Sequence, residues 1–477
     1  MQILVRTAVL ALATWLLFTH ASRAQVTVDL GINNQFPGHS IPADFLGLSF
    51  EMQRVLADTN GWHFFSPDNQ PLIATFKTLG IKNLRVGGNT ADRPTLPVPT
   101  DADVDALFQF AKAADITVLF TLRLNQGTPE AAADRAAYIL KHYPDQLSCF
   151  AIGNEPNVFS TNYDVYIAEW KRFAAVINSN CPTARFCGPS VSPGHEKWSA
   201  RFASDPEIRP RLAFVSQHDY PGGDARSVKD PALGRDKILS PAIAEHYAKF
   251  ANNFVPTVLS NGLPYRFEEA NSFYDGGASN VSDTFASALW ALNYQWWWVS
   301  HGMCGINFHT GDKVAARDEN KPCRYASFWS VTNGYNIHPI AYAEKMFSLG
   351  SQGRLLRTEF APGFSNSWVT AYGVLGDDHC VYATLINTSH GATATNATVI
   401  VGTHLEGYAR GETMILSAPG GDVSAKTGIT LGGGGISDDA KWNGTWNQIP
   451  VPAEHFQFAV EVNVPAASAV LVKLTPR

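Results

Sequence analysis

Between residues 45 and 309 the chain alternates short apolar runs with longer amphipathic ones. The short runs, at 45–51, 81–88, 116–124, 147–156, 183–191, 212–220, 264–271 and 304–309, have the length and β-branched content of buried strands. The intervening stretches at 102–114, 128–142, 163–179, 241–254 and 282–300 repeat their apolar residues with helical period. Strand and helix alternating through eight units predict an α/β fold, a closed (β/α)8 barrel in place of an open sheet. The early Gly-x-Gly-x-x-Gly turn of a dinucleotide-binding sheet is missing from the chain.

From about residue 346 the period drops to two. Alternating runs at 368–375, 380–387, 398–401, 456–462 and 469–474, with turns such as Gly432-Gly433-Gly434-Gly435, predict a C-terminal β-sandwich. A run at 26–30 predicts one more strand that joins this sandwich before the chain enters the barrel. The organisation expected is therefore a leader at 1–24, an N-terminal strand segment at 25–44, a catalytic barrel at 45–345 and a β-sandwich at 346–477.

Composition adds three points. Hydrophobic residues at 45% and aromatics at 12% of 477 residues provide for more than one packed core. A formal charge of −6 without a basic run leaves no electrostatic footprint for nucleic acid, so an anionic ligand has to be read by local contacts. The N-terminus carries Arg6, an apolar stretch from Thr7 to Phe18 and then Ala21-Ser22-Arg23-Ala24, the pattern of a signal peptide cut after Ala24. That apolar stretch is shorter than the ~20 residues a membrane span needs. A secreted, extracellular, monomeric protein without membrane association is expected. In that compartment the six cysteines predict disulfides, with Cys181/Cys187 and Cys304/Cys323 as the local pairs, and Asn280, Asn387, Asn396 and Asn443 lie in glycosylation sequons.

Candidate chemistry is sought where barrel strands end, because βα loops there build active sites. The fourth strand ends in Gly153-Asn154-Glu155-Pro156 and the seventh in Phe267-Glu268-Glu269-Ala270-Asn271. Cleaving a glycosidic bond needs a proton for the departing oxygen and negative charge beside an oxocarbenium-like carbon, which two carboxyl groups supply. Strands four and seven face each other across the barrel mouth, so Glu155 is read as general acid/base and the second Glu as nucleophile, at the ~5–5.5 Å spacing of a retaining enzyme. Period-two alternation puts Tyr265, Phe267 and Glu269 on one face and Arg266, Glu268 and Ala270 on the other. Taking the first face as inward selects Glu269 and sends Glu268 outside the barrel, to pair with Arg266 or a helix residue. The competing structural reading makes these glutamates ion-paired or helix-capping groups. Trp290, Trp296, Trp297 and Trp298 are assigned to helix packing. His218 and His309 are assigned to polar lining, with no metal or organic cofactor expected.

These segments resemble glycoside hydrolase family 79, the β-glucuronidases and heparanase-like enzymes. The resemblance rests on Ile152-Gly153-Asn154-Glu155-Pro156-Asn157, on Glu269-Ala270-Asn271-Ser272-Phe273-Tyr274-Asp275-Gly276-Gly277 and on Leu84-Arg85-Val86-Gly87-Gly88-Asn89. It implies a β-glucuronidase acting on glucuronic-acid-containing glycans, with Glu269 preferred to Glu268 as nucleophile. It further implies that Tyr274 and the Gly276 N–H hold the sugar carboxylate and that Asn154 binds the 2-hydroxyl. Glu51, Asp92, Tyr220 and Tyr325 would bind hydroxyls or orient the nucleophile. Asp275 stands where heparanase-like members carry glycine, and a carboxylate beside an anionic sugar has to point away. A retaining glycosidase for a neutral sugar, of xylosidase or arabinofuranosidase type, and an endo-acting heparanase-like enzyme are the alternatives.

Overall fold

The computed structural model describes residues 25–477 apart from 161, 315–320, 363–367, 404–407 and 452–458. The leader expected at 1–24 lies outside the described residues, as does the start of the run at 456–462. After β1 (Gln25–Asn33) come β2 (Leu46–Glu51), β3 (Asn83–Gly87), β4 (Thr117–Leu122), β5 (Leu147–Ile152), β6 (Phe186–Val191), β7 (Leu212–Asp219), β8 (Tyr265–Ala270) and β9 (Gly305–His309). Strands β2 to β9 are parallel to their neighbours and close into an eight-stranded barrel through the β2–β9 pairing. This is the (β/α)8 fold read from the alternation.

Helices α1 (Gln70–Leu79), α2 (Asp101–Ala114), α3 (Pro129–His142), α4 (Tyr163–Asn180) and α5 (Glu196–Ser204) pack around β2–β7. Their starts are chemically marked. Thr100 and Asp103 form a reciprocal capping box on α2, and Thr128 caps α3 with Pro129 in the first turn. The stretch predicted as a helix at 241–254 forms α7 (Ile243–Asn252), and two short helices not read from the sequence flank it, α6 (Pro231–Leu239) and α8 (Val255–Ser260). Prolines in the first turns of α6 and α8 mark where each begins.

Polar side chains fill the floor of the barrel. Arg266 Nε donates to Asn307 Oδ1 at 2.7 Å, and Asn307 Nδ2 donates to Asn83 Oδ1 at 2.8 Å. Gly47 and Gly305 leave them room: a Cβ at Gly47 would lie 2.3 Å from the Asn307 amide nitrogen. Leu119, Cys149, Ala151, Cys187 and Phe214 form the apolar layer next to this network.

Helix α9 (Phe285–Ser300) connects β8 to β9 within the barrel; after β9 the chain passes through α10 (Pro339–Gly350) and enters one ten-stranded sheet that curls over its own core. β1 sits inside this sheet, parallel to Asn396–Thr403 and antiparallel to Gly353–Phe360. Val28, Leu30, Ile32, Val399, Val401, Val462 and Leu474 are buried between its layers. The strands Gly353–Phe360 and Tyr408–Ser417 are not legible from alternation, because Arg354, Arg357, Glu359, Arg410 and Glu412 break up their apolar pattern. Trp296 on α9 joins the two units: its ring stacks on Tyr372 of the sheet at 5.7 Å and meets Phe347 of α10 at 4.8 Å. Trp290 and Trp298 are fully buried on the same helix, so the tryptophan cluster is packing. Among the described residues no helix is long and apolar enough to cross a membrane.

Two expectations are corrected. All six cysteines are free thiols. Cys187 faces the barrel interior while Cys181 lies in the helical shell, and Cys304 packs near that interior while Cys323 packs with Tyr220 and Tyr325. The sequon at Asn387 is inaccessible: its amide is buried and donates to Thr395 O and Val464 O.

One buried acid outside the site gives a stability prediction. Glu344 on α10 is fully buried, accepts one bond from Ser327 Oγ at 2.6 Å, and burial pushes its carboxyl up to about 7 from 4.5. A carboxyl raised in the folded state binds its proton more tightly there than in the unfolded chain. Its contribution is therefore intact below about pH 4.5 and is lost as pH rises through about 7. Glu344→Gln is expected to gain on the order of 1–3 kcal/mol at pH 8 and nothing at pH 4. Melting temperatures of both proteins across that range test this; a variant melting at or below the wild type at pH 8 would count against it.

Candidate active site

Glu155 reaches the barrel mouth through an unusual backbone. Gly153 has φ +84°, and a Cβ there would lie 2.9 Å from Leu124 Cβ, so glycine is required. Glu155 itself has φ +42°, a strained conformation for a residue with a Cβ. The surroundings hold it: the Glu155 N–H donates to Ser190 O at 2.8 Å, and the Asn154 N–H donates to Asp92 Oδ2 at 2.6 Å. Asp92 Oδ1 accepts from the Leu124 and Asn125 N–H groups at 2.7 and 2.8 Å.

Glu269 arrives by a different device, which corrects the alternation argument. Tyr265 and Phe267 face outward, with rings against Phe254, Phe250 and Trp298, whereas Arg266 and Glu268 point into the barrel. Continued alternation would turn Glu269 toward the helices. The pairing of β8 with β7 skips Glu268, passing from Gln217↔Phe267 to His218↔Glu269, so β8 is bulged at this point. Two residues of a bulged strand oppose one of the partner and re-aim the side chain that follows. Both glutamates consequently face inward, and Glu268 is buried under the site rather than outside the barrel.

One oxygen of Glu155, one of Glu269 and a ring nitrogen of His218 all lie within 4.8 Å of one another. Glu269 is fixed on both oxygens: Tyr220 Oη donates to Oε1 and Arg85 Nη1 to Oε2, each at 2.7 Å. Arg85, fully buried, also donates to Asn154 Oδ1 at 2.6 Å and Ser49 Oγ at 3.0 Å. Burial pushes the Glu269 carboxyl up, but His309, His218 and Arg85 beside it and the Tyr220 bond outweigh burial and hold it well below the usual carboxylate range. Glu269 is thereby kept ionised at any working pH.

Both acids open on a cavity of about 380 Å³. Glu51, Tyr220, Tyr274, Gly276 and Tyr325 line it as well. Glu51 is anchored by the Thr90 N–H and hydroxyl, at 2.8 and 2.6 Å. Tyr274 is 40% exposed, so its ring forms part of an open wall. Asp275, Gly276 and Gly277 have φ of +65°, +81° and +86°, three successive left-handed residues that turn the backbone toward the cavity. Asp275 is held by Lys321 Nζ at 3.1 Å and Arg226 Nε at 3.4 Å, which neutralises the carboxylate expected to disturb an anionic sugar.

Asp92 spends its oxygens on three backbone N–H groups and so shapes the loop that presents Glu155. The Asn154 carbonyl is taken by Arg85, which fixes the orientation of its side-chain amide beside Glu155. Sequence reasoning gives Arg85 no role of its own, although it stands inside one of the three segments that carry the family resemblance. The signal that could have found it is an arginine in the middle of an apolar strand, where a buried charge requires an acidic partner.

No protein-family model matches the chain. A β-glucuronidase of Neurospora crassa is 23% identical over 215 residues, covering 39% of this chain and 36% of that protein. A β-glucuronidase of Aspergillus niger is 23% identical over 194 residues, covering 35% of each. The matched region thus spans about a third of these relatives' length. Among solved structures, a family 51 arabinofuranosidase from Xanthomonas axonopodis pv. citri superposes with a TM-score of 0.70 at 15% identity. A 4-O-α-L-rhamnosyl-β-D-glucuronidase from Fusarium oxysporum 12S gives 0.70 at 17%. Each covers 94% of this chain and 100% of its own. The similar proteins are glycoside hydrolases, and the structural likeness establishes the barrel with its appended sandwich.

His218 completes the site. Its Nδ1 lies 3.0 Å from Glu155 Oε1 and its Nε2 3.5 Å from Glu268 Oε1, so both ring nitrogens already face carboxylates. His309 Nδ1 meets Ser49 Oγ at 3.1 Å, with its Nε2 3.8 Å from Glu51.

Proposed function

We propose that this chain is a secreted retaining β-glucuronidase of the family 79 type, removing terminal β-linked glucuronic acid from glycans. The observation that carries the reading is the approach of Glu155 and Glu269 to within 4.8 Å in one cavity. That spacing suits direct attack by a carboxylate; an inverting enzyme keeps its acids ~6.5–9.5 Å apart to admit a water. In this mechanism Glu155 protonates the leaving oxygen while ionised Glu269 attacks the anomeric carbon, giving a covalent glycosyl-enzyme. Glu155, now a carboxylate, takes a proton from the incoming water, which releases the sugar with its β configuration.

The lining of the cavity supports an anionic sugar. Tyr274 and the Gly276 N–H would hold its carboxylate, and Arg226 and Lys313 also line the cavity and offset the acidic groups there. Glu51, Tyr220 and Tyr325 would meet hydroxyls or orient Glu269. The β-glucuronidase relatives agree with this assignment. The chain has no dense Lys/Arg run of the kind a sulfated polymer would require, which favours exo action over heparanase-like endo cleavage.

Aryl glycosides test the proposal. A hydrogen bond to a charged group contributes ~1.5–3 kcal/mol, so kcat/KM on an aryl β-glucuronide should exceed that on an aryl β-xyloside by on the order of 10²-fold. Tyr274→Phe should shrink that ratio by about tenfold while leaving the xyloside rate in place. Proton NMR during turnover should show the β anomer first. A faster aryl arabinofuranoside would transfer support to a neutral-sugar enzyme like the arabinofuranosidases of the same fold.

A further inference from the structure

We propose that Glu268 is a positioning residue that acts through His218 to hold a charged imidazolium against Glu155, fixing which oxygen of Glu155 carries the proton. The proposal rests on the reading of Glu155 as acid/base, and its consequence is that Glu268 sets the pH at which His218 loses its charge.

His218 and Glu268 are both 0% exposed, and water can solvate neither. The imidazole stands between two carboxylates, with Nδ1 3.0 Å from Glu155 Oε1 and Nε2 3.5 Å from Glu268 Oε1. A neutral imidazole carries a proton on one nitrogen and a lone pair on the other. A neutral ring protonated on Nδ1 would point its Nε2 lone pair at Glu268, and one protonated on Nε2 would have to accept the Glu155 Oε1–H proton at Nδ1, tying the acid proton to the ring and away from the leaving oxygen. The imidazolium, a donor at both nitrogens, suits both neighbours. The 3.5 Å separation is longer than a normal N–H···O bond, so Glu268 acts on His218 mainly through charge.

The other groups around the ring agree with this charge state. Glu269 on β8 and Glu155 after β5 add negative charge; Arg85 on β3 is committed to Glu269 and Asn154. Cys187 on β6 donates its thiol to Glu268 Oε2 at 3.5 Å, and Ser190 and Ser216 bond each other at 3.0 Å. Tyr166 on α4 is buried and stays neutral. Burial opposes charging of His218, but Glu269, Glu155 and Glu268 outweigh it and move its titration up to about 9. Burial likewise opposes ionisation of Glu268, and His218, Arg85 and Ser190 reverse that.

Two consequences follow for Glu155. With His218 Nδ1–H donating to Oε1, the acid proton is driven onto Oε2, and Oε1 cannot carry it while that donor is in place. The same donor at 3.0 Å keeps Glu155 oriented when its other oxygen takes a proton from water in the second half of the reaction. Glu268 lies on the far side of the ring, so it reaches Glu155 only through His218.

The test uses the full chain with 13C,15N-labelled histidine, the His218 signal being assigned by its disappearance in His218→Gln. The wild type should show a doubly protonated His218 at pH 7. In Glu268→Gln its titration should move down by a unit or more, since the amide can donate to Nε2 and stabilise the neutral ring. On an aryl β-glucuronide kcat at pH 5, where His218 carries its charge in both proteins, should change less than threefold. A neutral His218 in the wild type at pH 7 overturns the proposal, as does a His218 titration in Glu268→Gln that stays or moves up. Should Glu268→Gln fail to fold, the wild-type spectrum decides alone. Azide rescue of Glu155→Ala tests the acid/base reading independently, so an unrescued Glu155 variant beside an intact His218 result would sink that reading and spare the Glu268–His218 coupling.

Discussion

Glu269→Ala is expected to lower kcat on an aryl β-glucuronide by roughly 10⁴-fold or more, the scale on which single removals act when residues work as a unit. The two acids should then separate by rescue. In Glu155→Ala the bond can still break when the leaving group is good enough to depart unprotonated, and Glu269 still forms the covalent intermediate. That intermediate accumulates, because no base activates water. Azide needs no base and should restore turnover, yielding a β-glucuronosyl azide. In Glu269→Ala azide would enter the vacated space and give, if anything, the α product. Turnover of Glu269→Ala within tenfold of the wild type would remove that residue from its role, and β-azide from it would exchange the two assignments.

Arg85→Gln should be the most damaging change outside the pair of acids. Arg85 is fully buried, donates to Glu269 Oε2 at 2.7 Å and bonds Asn154 and Ser49. Removing one partner of a buried ion pair leaves the other charge uncompensated, which costs about 3–5 kcal/mol. The sign with pH follows from Glu269. Its carboxyl is held below the unfolded value of 4.5, so the pair contributes stability that is full above that pH and disappears as pH falls. The variant should therefore lose most stability at pH 7 and differ least in strong acid. Because Glu269 would bind a proton more readily, the acid limb of kcat/KM should move upward as well. Denaturant unfolding at pH 7 and the pH–rate profile check both; a variant within about 1 kcal/mol of wild type, with an unmoved acid limb, would show that Tyr220 and the histidines suffice.

How far the chain could be read depends on how local each signal is. The barrel was legible because eight apolar runs separated by amphipathic stretches repeat one packing unit, and each run is buried on both faces. The sandwich was legible where alternation was strong, as at Val381–Asn387 and Ser468–Pro476. It was not where charged residues interrupt, as at Gly353–Phe360. The disulfides failed because proximity in sequence says nothing about which side of a strand a thiol occupies: Cys187 faces the barrel interior and Cys181 the shell. Asp92 was placed near the site correctly but given a ligand's role, since a carboxylate that binds a sugar and one that pins three backbone N–H groups look alike in sequence.

The sequence alone was enough to establish a barrel with a β-rich appendage and to put acidic residues at the ends of its fourth and seventh strands, because strand ends are marked by local composition. Only the tertiary structure decided which face of β8 looks inward. That choice turns on a bulge created by pairing with β7, a strand distant in sequence, and on the space left by glycines and filled by Arg85, His218 and Glu268. A single register shift reverses every side chain beyond it, so residues identical in sequence could have faced the helices. The charges that fix Glu155 and Glu269 meet only where the closed barrel brings five strands to one point.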